Sequence, residues 1–227
     1  MLFLLMIRIN SIWFKTVDIK DVKLAGHHII LRSPRSDDLE GLCDATNDGE
    51  MWKNPFAFFP SVSEMSIYLQ NLIKHDDTVL PFIIVEKKSN RIIGMTRYLH
   101  MDNENRRVEI GLTWIAESFR GTAVNTEAKF LMLQYAFEKL HCITVEIRVD
   151  VLNKVSRKAI ERLGAKQDGV LRKHEIMKNG RIGNTICYSI ISEEWPDIRE
   201  SLMTRLSGYK DRLYHLIFYL LIFPIVI

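Results

Sequence analysis

Residues 142–150, "CITVEIRVD", alternate without a break. Ile143, Val145, Ile147 and Val149 fall on one side, and Thr144, Glu146, Arg148 and Asp150 on the other. Residues two apart share a face only in a strand, so this segment is a strand with one buried face. Helical patterns flank it. "NTEAKFLMLQYAFEKL" precedes it, with Ala128, Leu131, Tyr135 and Leu140 among its inward positions. "NKVSRKAIERLGA" follows, with Asn153 placed to cap and Gly164 to stop it. A half-buried strand between two helices requires a sheet with helices packed on it.

The remaining segments extend that sheet. "HHIILRS" reads as a strand, and Ser36, Asp37 and Asp38 offer a cap and an acidic first turn for a helix running toward Asn47. "KNPFAFFPS" breaks the pattern, and its Phe56, Phe58 and Phe59 join Trp52 as a wall, a lid or a core cluster. A second helix runs from about Ser63 to Lys74, with Met65, Tyr68, Leu69, Leu72 and Ile73 at helical spacing. "FIIVEKK" and "IIGMTRYLH" form a hairpin, and "RVEIGLTWI" a third strand after the polar turn "DNENR". A last hairpin, "VLRKHEIM" and "RIGNTICYSII", turns at Asn179-Gly180 in the type I′ manner. "SEEWPDIRESLMTRL" closes as a helix with Pro196 in its first turn. The order β-α-α-β-β-β-α-β-α-β-β-α predicts a mixed α/β (α+β) fold with helices on a central sheet.

Composition narrows the function classes. A net charge of +3 with no run of five or six basic residues argues against nucleic acid as a partner. Cys43, Cys142 and Cys187 are odd in number and lie in no metal-ligand spacing with the histidines. They are expected as buried thiols of a reducing cytoplasm, with no metal site. The opening "MLFLLMIRINSIWF" lacks a basic region before its apolar run and a small-residue cleavage site after it, so it is not expected to be a signal peptide. The closing run from Leu213 to Ile227, "LYHLIFYLLIFPIVI", is too short for a spanning helix, which needs about 20 apolar residues. Residues 1–21 are taken as an extension, 22–206 as the domain and 207–227 as an apolar tail that leaves a membrane contact open.

The segment "SFRGTAVNTEAK" sets a short polar loop before the long helix. A helix's first N–H groups lack intrahelical partners, and its dipole adds roughly half a positive charge there. Gly121, Thr122 and Ala123 are small enough for a phosphate to approach those groups, and Arg120 adds a charged donor. The same residues also fit an ordinary strand-to-helix turn capped by Asn125 or Thr126, with Arg120 in solvent.

"EIGLTWIAESFRGTAVNTEAK", "NKVSRKAIERLGA", "GVLRKH" and the later "NG" turn, in this order, resemble the GNAT superfamily of acetyl-CoA-dependent N-acetyltransferases. Within it the chain is most similar to the branch of ribosomal-protein N-terminal acetyltransferases of the RimJ/RimL type. The resemblance covers most of residues 22–206. It implies the GNAT fold, a mostly antiparallel mixed sheet of about six to seven strands, splayed between the fourth and fifth. The family's pyrophosphate loop, Gln/Arg-x-x-Gly-x-Gly/Ala, falls on Arg120, Ala123 and Asn125, with Ala123 in place of the middle glycine and Asn125 in place of the last small residue. Backbone N–H groups of Gly121, Thr122, Ala123, Val124, Asn125 and Thr126 would then hold the pyrophosphate of acetyl-CoA. A bulge at Trp114 and Ile115 would bind the pantetheine arm, together with Asn153.

For the chemistry, the resemblance sets Glu109 where relatives place a general base. The plain alternative is a surface glutamate pairing with Arg107 or Arg148. A tyrosine that many relatives use as acid is replaced by Ile160, and Ser156 stands where the RimL-like branch has a serine acid. A helix-end serine is the plain alternative there. His174 and Arg172 are candidates for the acceptor pocket or for a solvated hairpin face. The expected function is transfer of acetyl from acetyl-CoA, with no metal, to a primary amine on a protein N-terminus or a small molecule, by direct attack in a ternary complex. A non-catalytic CoA-binding module, a tail-held membrane-associated acetyltransferase and a homodimer remain open.

Overall fold

The computed structural model describes residues 22–56, 59–74 and 77–222. Eight strands form one sheet: β1 (Lys23–Ala25), β2 (Ile29–Arg32), β3 (Leu80–Glu86), β4 (Ile92–Asp102), β5 (Arg107–Ile115), β6 (Thr144–Asp150), β7 (Lys166–Ile176) and β8 (Ile182–Ile191). Their spatial order is β1-β2-β3-β4-β5-β6-β8-β7. Every neighbouring pair is antiparallel except β5–β6, which is parallel. Among the described residues five α-helices accompany them: α1 (Leu39–Asn47), α2 (Met65–Ile73), α3 (Val124–Gln134), α4 (Lys154–Glu161) and α5 (Trp195–Ile222). A turn of wider π pitch, Tyr135–Lys139, continues α3.

The alternation of β6 divides the molecule into two faces. Val145, Ile147 and Val149 join the core beneath α3, α4 and α5, with Met132, Leu133, Ile160, Leu163, Trp195 and Leu202. The opposite face of β3–β5 carries Ile83, Val85, Met95 and Trp114, covered by Leu42 of α1 and by Met65, Leu69 and Leu72 of α2. Capping sets the helix starts. Ser61 and Glu64 close a reciprocal box just before α2. Asn153 accepts the Ser156 N–H at 3.1 Å at the start of α4, as its sequence position suggests.

Four expectations need correction. The strands number eight, because residues 22–32 form a hairpin whose first strand is too short to show a period. The closing helix does not stop at Leu206 but runs on to Ile222, while residues 223–227 lie outside the described residues. No described helix is long and apolar enough to cross a membrane. Of the three cysteines only Cys142 is buried; Cys43 and Cys187 are half-exposed, each on the partly open side of its element. The last hairpin is not type I′, since Asn179 keeps a negative φ and only Gly180 is left-handed, at 78°. Met177 and Arg181 close a three-residue loop through the Met177 N–H at 2.9 Å, the geometry of a type I turn with a glycine bulge.

One long-range clasp ties the first hairpin to α3. Glu127 is 4% exposed, and its carboxylate accepts the N–H groups of His27, His28 and Ile29 at 2.6, 2.8 and 2.9 Å. Gly26 is required beside it, because a Cβ there would come within 2.5 Å of the Glu127 Cδ. Glu127→Ala would strand three donors, and a buried donor without a partner costs about 1–3 kcal/mol. The expected loss is roughly 3 kcal/mol after partial rehydration. It should be read as a lower urea midpoint at unchanged slope.

Candidate active site

The site begins with an irregularity in β5. Arg97 pairs with Gly111 and Met95 with Trp114, so Leu112 and Thr113 together oppose Thr96. Leu112 takes φ 47° to allow this. The extra residue reverses the side-chain parity of the strand. Before it Val108 and Ile110 face α3; after it Ile115 does, and Trp114 turns to α1 and α2. The bulge thus lies at Leu112–Thr113, two residues ahead of Trp114 and Ile115, whose side chains are 2% and 7% exposed and pack in the core.

β5 and β6 pair only at Arg107–Thr144, Val108–Val145 and Glu109–Glu146. Beyond Glu109 they part, the expected splay, which is the fifth gap once the first hairpin is counted. A cleft of about 510 Å³ fills it, lined from β5, β6, α3, α4 and the β7–β8 hairpin. Its lining comes from both faces of the sheet. On the face of α3 and α4 it meets Asn125, Lys129, Asn153 and Ser156; on the other it meets Glu109, Arg148, His174, Phe56, Phe59 and Met177.

The first face ends at the start of α3. Helix α3 begins at Val124 with Ala123 in the capping position, earlier than a cap at Asn125 or Thr126 would set it. Thr122 shapes the turn, donating from Oγ1 to the Phe119 carbonyl at 2.7 Å and accepting the Val124 N–H at 3.3 Å. Among the described residues, the N–H groups of Gly121, Thr122, Ala123, Asn125 and Thr126 donate to no protein acceptor. Gly121 alone is left-handed, at φ 72°, whereas Ala123 sits at −64°, where alanine carries no strain. Arg120 is exposed, as the plain alternative expects, and its Nη2 touches the Met51 sulfur. Arg120 and the residues from Gly121 to Val124 do not line the cleft itself, while Asn125 does.

Helix α4 brings Asn153 and Ser156 to the same opening. The Ser156 hydroxyl has no hydrogen-bond partner among the described residues, and Ile160 lines the wall beyond it.

On the second face stands Glu109. It is 6% exposed and so not on the surface, while the pairing with Arg148 that the plain alternative expected is present, at 3.4 Å. His100 meets it through Nδ1 at 3.0 Å, and Arg107 turns instead to Asp102 and Glu146. Burial pushes the Glu109 carboxyl above its ordinary range, opposed by the His100 hydrogen bond and the Arg148 charge. Lys178 donates to the Phe59 carbonyl at 2.6 Å, and the Arg181 guanidinium lies over the Phe56 ring, so the loop after α1 meets the last hairpin across the cleft. Phe56 and Phe59 line the cleft, Trp52 and Arg172 do not, and Phe58 lies outside the described residues. His174 reaches the cleft because β7 bulges between Leu171 and Glu175, and its Nδ1 meets Thr185 Oγ1 at 3.0 Å.

Sequence reasoning missed two cleft residues. His100 lies on β4 opposite Glu109's own strand, and only the β4–β5 register brings the two together. Lys129 sits one helical turn after Asn125, a spacing that was legible, but nothing in the sequence marks it as buried.

The match to the family model for the acetyltransferase (GNAT) domain covers residues 28–166, more than half of the chain. The chain belongs to the GNAT superfamily of acetyltransferases. An uncharacterized N-acetyltransferase, p20, from Bacillus licheniformis is 27% identical over 74% of this chain and 94% of its own length. The crystal structure of a GCN5-related N-acetyltransferase from Brucella melitensis superposes at TM-score 0.74 with 25% identity, covering 82% of this chain and 85% of that one. Mycobacterium smegmatis RimJ, solved with CoA-disulfide, shares the fold at TM-score 0.67 and 18% identity over 82% and 93% of the two chains. The chain is an N-acetyltransferase, with RimJ among its fold neighbours.

The state of Glu109 has a measurable consequence. Its folded pKa is raised, so the folded chain holds this proton more tightly than the unfolded one. Stability from this group is therefore complete below the unfolded pKa, about 4.3, and is lost as pH rises through the folded value. Glu109→Gln removes that dependence. The variant's stability relative to wild type should be higher at pH 8 than at pH 4, measured by urea unfolding at both.

Proposed function

We propose that this N-acetyltransferase binds acetyl-CoA at the start of α3, passes its acyl arm through the splay, and acetylates a primary amine arriving from the opposite face. The observation that carries this reading is the cleft in the splay, lined by Asn125 at the start of α3, Asn153 and Ser156 from one face and by Glu109 from the other, with the unpaired N–H groups of Gly121 to Ala123 just before Asn125. Enzymes of this superfamily take their acetyl group from acetyl-CoA, whose pyrophosphate suits five unpaired N–H groups at a positive helix end. Asn153 and the backbone of the Leu112–Thr113 bulge hold the arm where β6 no longer pairs.

The acceptor, a peptide N-terminus or a small-molecule amine, enters between Phe56, Phe59 and Met177. Glu109 takes a proton from its ammonium, directly or through water, and the raised carboxyl pKa matches that task. The free amine attacks the thioester carbon, the C–S bond breaks, the thiolate leaves with a proton from Ser156, and the attacking nitrogen, on becoming the amide, returns a proton to Ser156 through water. No covalent enzyme intermediate is formed.

Transfer is tested by following free thiol with a panel of amines and N-terminal peptides. Binding of acetyl-CoA without transfer to any acceptor would favour a non-catalytic module instead. Glu109→Gln should lower kcat by ~10²–10⁴ at neutral pH, with partial recovery at high pH as the amine loses its own proton. Ser156→Ala should lose less when the acyl donor carries a better leaving thiol. Wild-type kcat in both variants would return these residues to structural roles.

The loop gives a second test. Gly121→Val forces a β-branched residue into φ 72° and should weaken acetyl-CoA binding through backbone strain, since open space surrounds the position. Ala123→Gly should leave binding near wild type, because φ −64° asks nothing of glycine. Calorimetric titration of the two variants compares them.

A further inference from the structure

Lys129 is a buried cation site without an anion. It is 7% exposed and lines the cleft on the stripe of α3 that also carries Asn125. Its Nζ donates to Thr113 Oγ1 at 2.5 Å, and that hydroxyl is held in turn by Thr96 Oγ1 at 2.7 Å. No carboxylate among the described residues acts on it, and burial alone holds its amine down to about 7. A buried ammonium without a counter-charge costs several kcal/mol, so a packing role would be filled better by methionine or leucine. The carboxylates of the cleft, Glu109, Asp150 and Glu175, are engaged elsewhere: Glu109 by His100 and Arg148, Asp150 by Arg181, and Glu175 by approach to His174.

Helical side chains lean toward the helix N-terminus, so Lys129 covers the turn that begins at Asn125. That is the end of α3 where five N–H groups stand unpaired. We propose that Lys129 is the counter-charge of the acyl-CoA site: its amine leaves Thr113, takes up a proton and pairs with a phosphate oxygen of the bound cosubstrate. This rests on acetyl-CoA binding at the start of α3. Thr113 is the resting partner, satisfying the amine while the site is open and taking no charge from it. The positive charge is thus only partial in the free enzyme and becomes complete when phosphate is bound.

Proton uptake on binding separates this role from simple packing. At pH 8 an amine titrating near 7 is about nine-tenths neutral. Pairing with phosphate should therefore draw in up to ~0.9 proton per site, read by calorimetry of acetyl-CoA binding in buffers of different ionisation enthalpy. Lys129→Met should abolish that uptake and weaken acetyl-CoA binding by roughly 10- to 100-fold, the range of a charge-assisted hydrogen bond. S-acetylpantetheine, which lacks phosphate, should bind wild type and Lys129→Met equally. Lys129→Arg should restore affinity without uptake. Equal losses for both ligands would place the contact on the arm and overturn the proposal. So would absence of proton uptake by the wild type at pH 8, whether or not the variants fold. Failure of the wild type to bind acetyl-CoA at all would instead remove the reading of the site on which this rests.

Discussion

The cleft in this sheet depends on one extra residue in β5. The Leu112–Thr113 bulge bends the strand away from β6 after only three paired residues. A regular ladder would have continued to Ile115, closed the sheet and buried both strand edges. With the bulge, the backbone of β5 and β6 is left facing a gap, and the parity change sends Glu109 and Ile115 to opposite faces. The cleft is therefore lined from both faces of the sheet.

The same logic explains how α3 is held. Its acidic first-turn residue, Glu127, could have served the helix's own N-terminal N–H groups and its dipole. It turns instead to the backbone of residues 27–29, almost a hundred positions earlier in the chain. The helix is anchored by its side chain while its first N–H groups remain unpaired. Lys129, two residues on, is turned to the cleft, so the carboxylate and the amine of one helix turn do not neutralise each other. The structure thus keeps positive potential at the loop where a phosphate is best received.

Much of this was legible in the chain. The alternation of residues 143–150, the cap at Asn153, the stop at Gly164 and the helical stripe of α3 are local patterns, and each forms where its residues indicate. The three-strand run before α3 and the order of elements were sufficient for a sheet with helices on it; its splay was only what the resemblance to the GNAT superfamily implied. The first hairpin was not legible, because a three-residue strand has no period and its turn is stabilised from Glu127. The turn at Asn179-Gly180 was misjudged because that dipeptide also suits a glycine bulge, and loop length, set by the Met177–Arg181 pairing, decides between them.

The sequence by itself determined which segments are strands and helices, because side-chain period and backbone capping act within a few residues of one another. It also determined that a small, polar loop precedes α3. Only the tertiary structure decided what those residues do together. The bulge position is a matter of register between β4 and β5; the burial of Glu109 and its contacts with His100 and Arg148 need three strands in place. The low pKa of Lys129 comes from desolvation, a property of every atom packed around it and of none of its sequence neighbours alone.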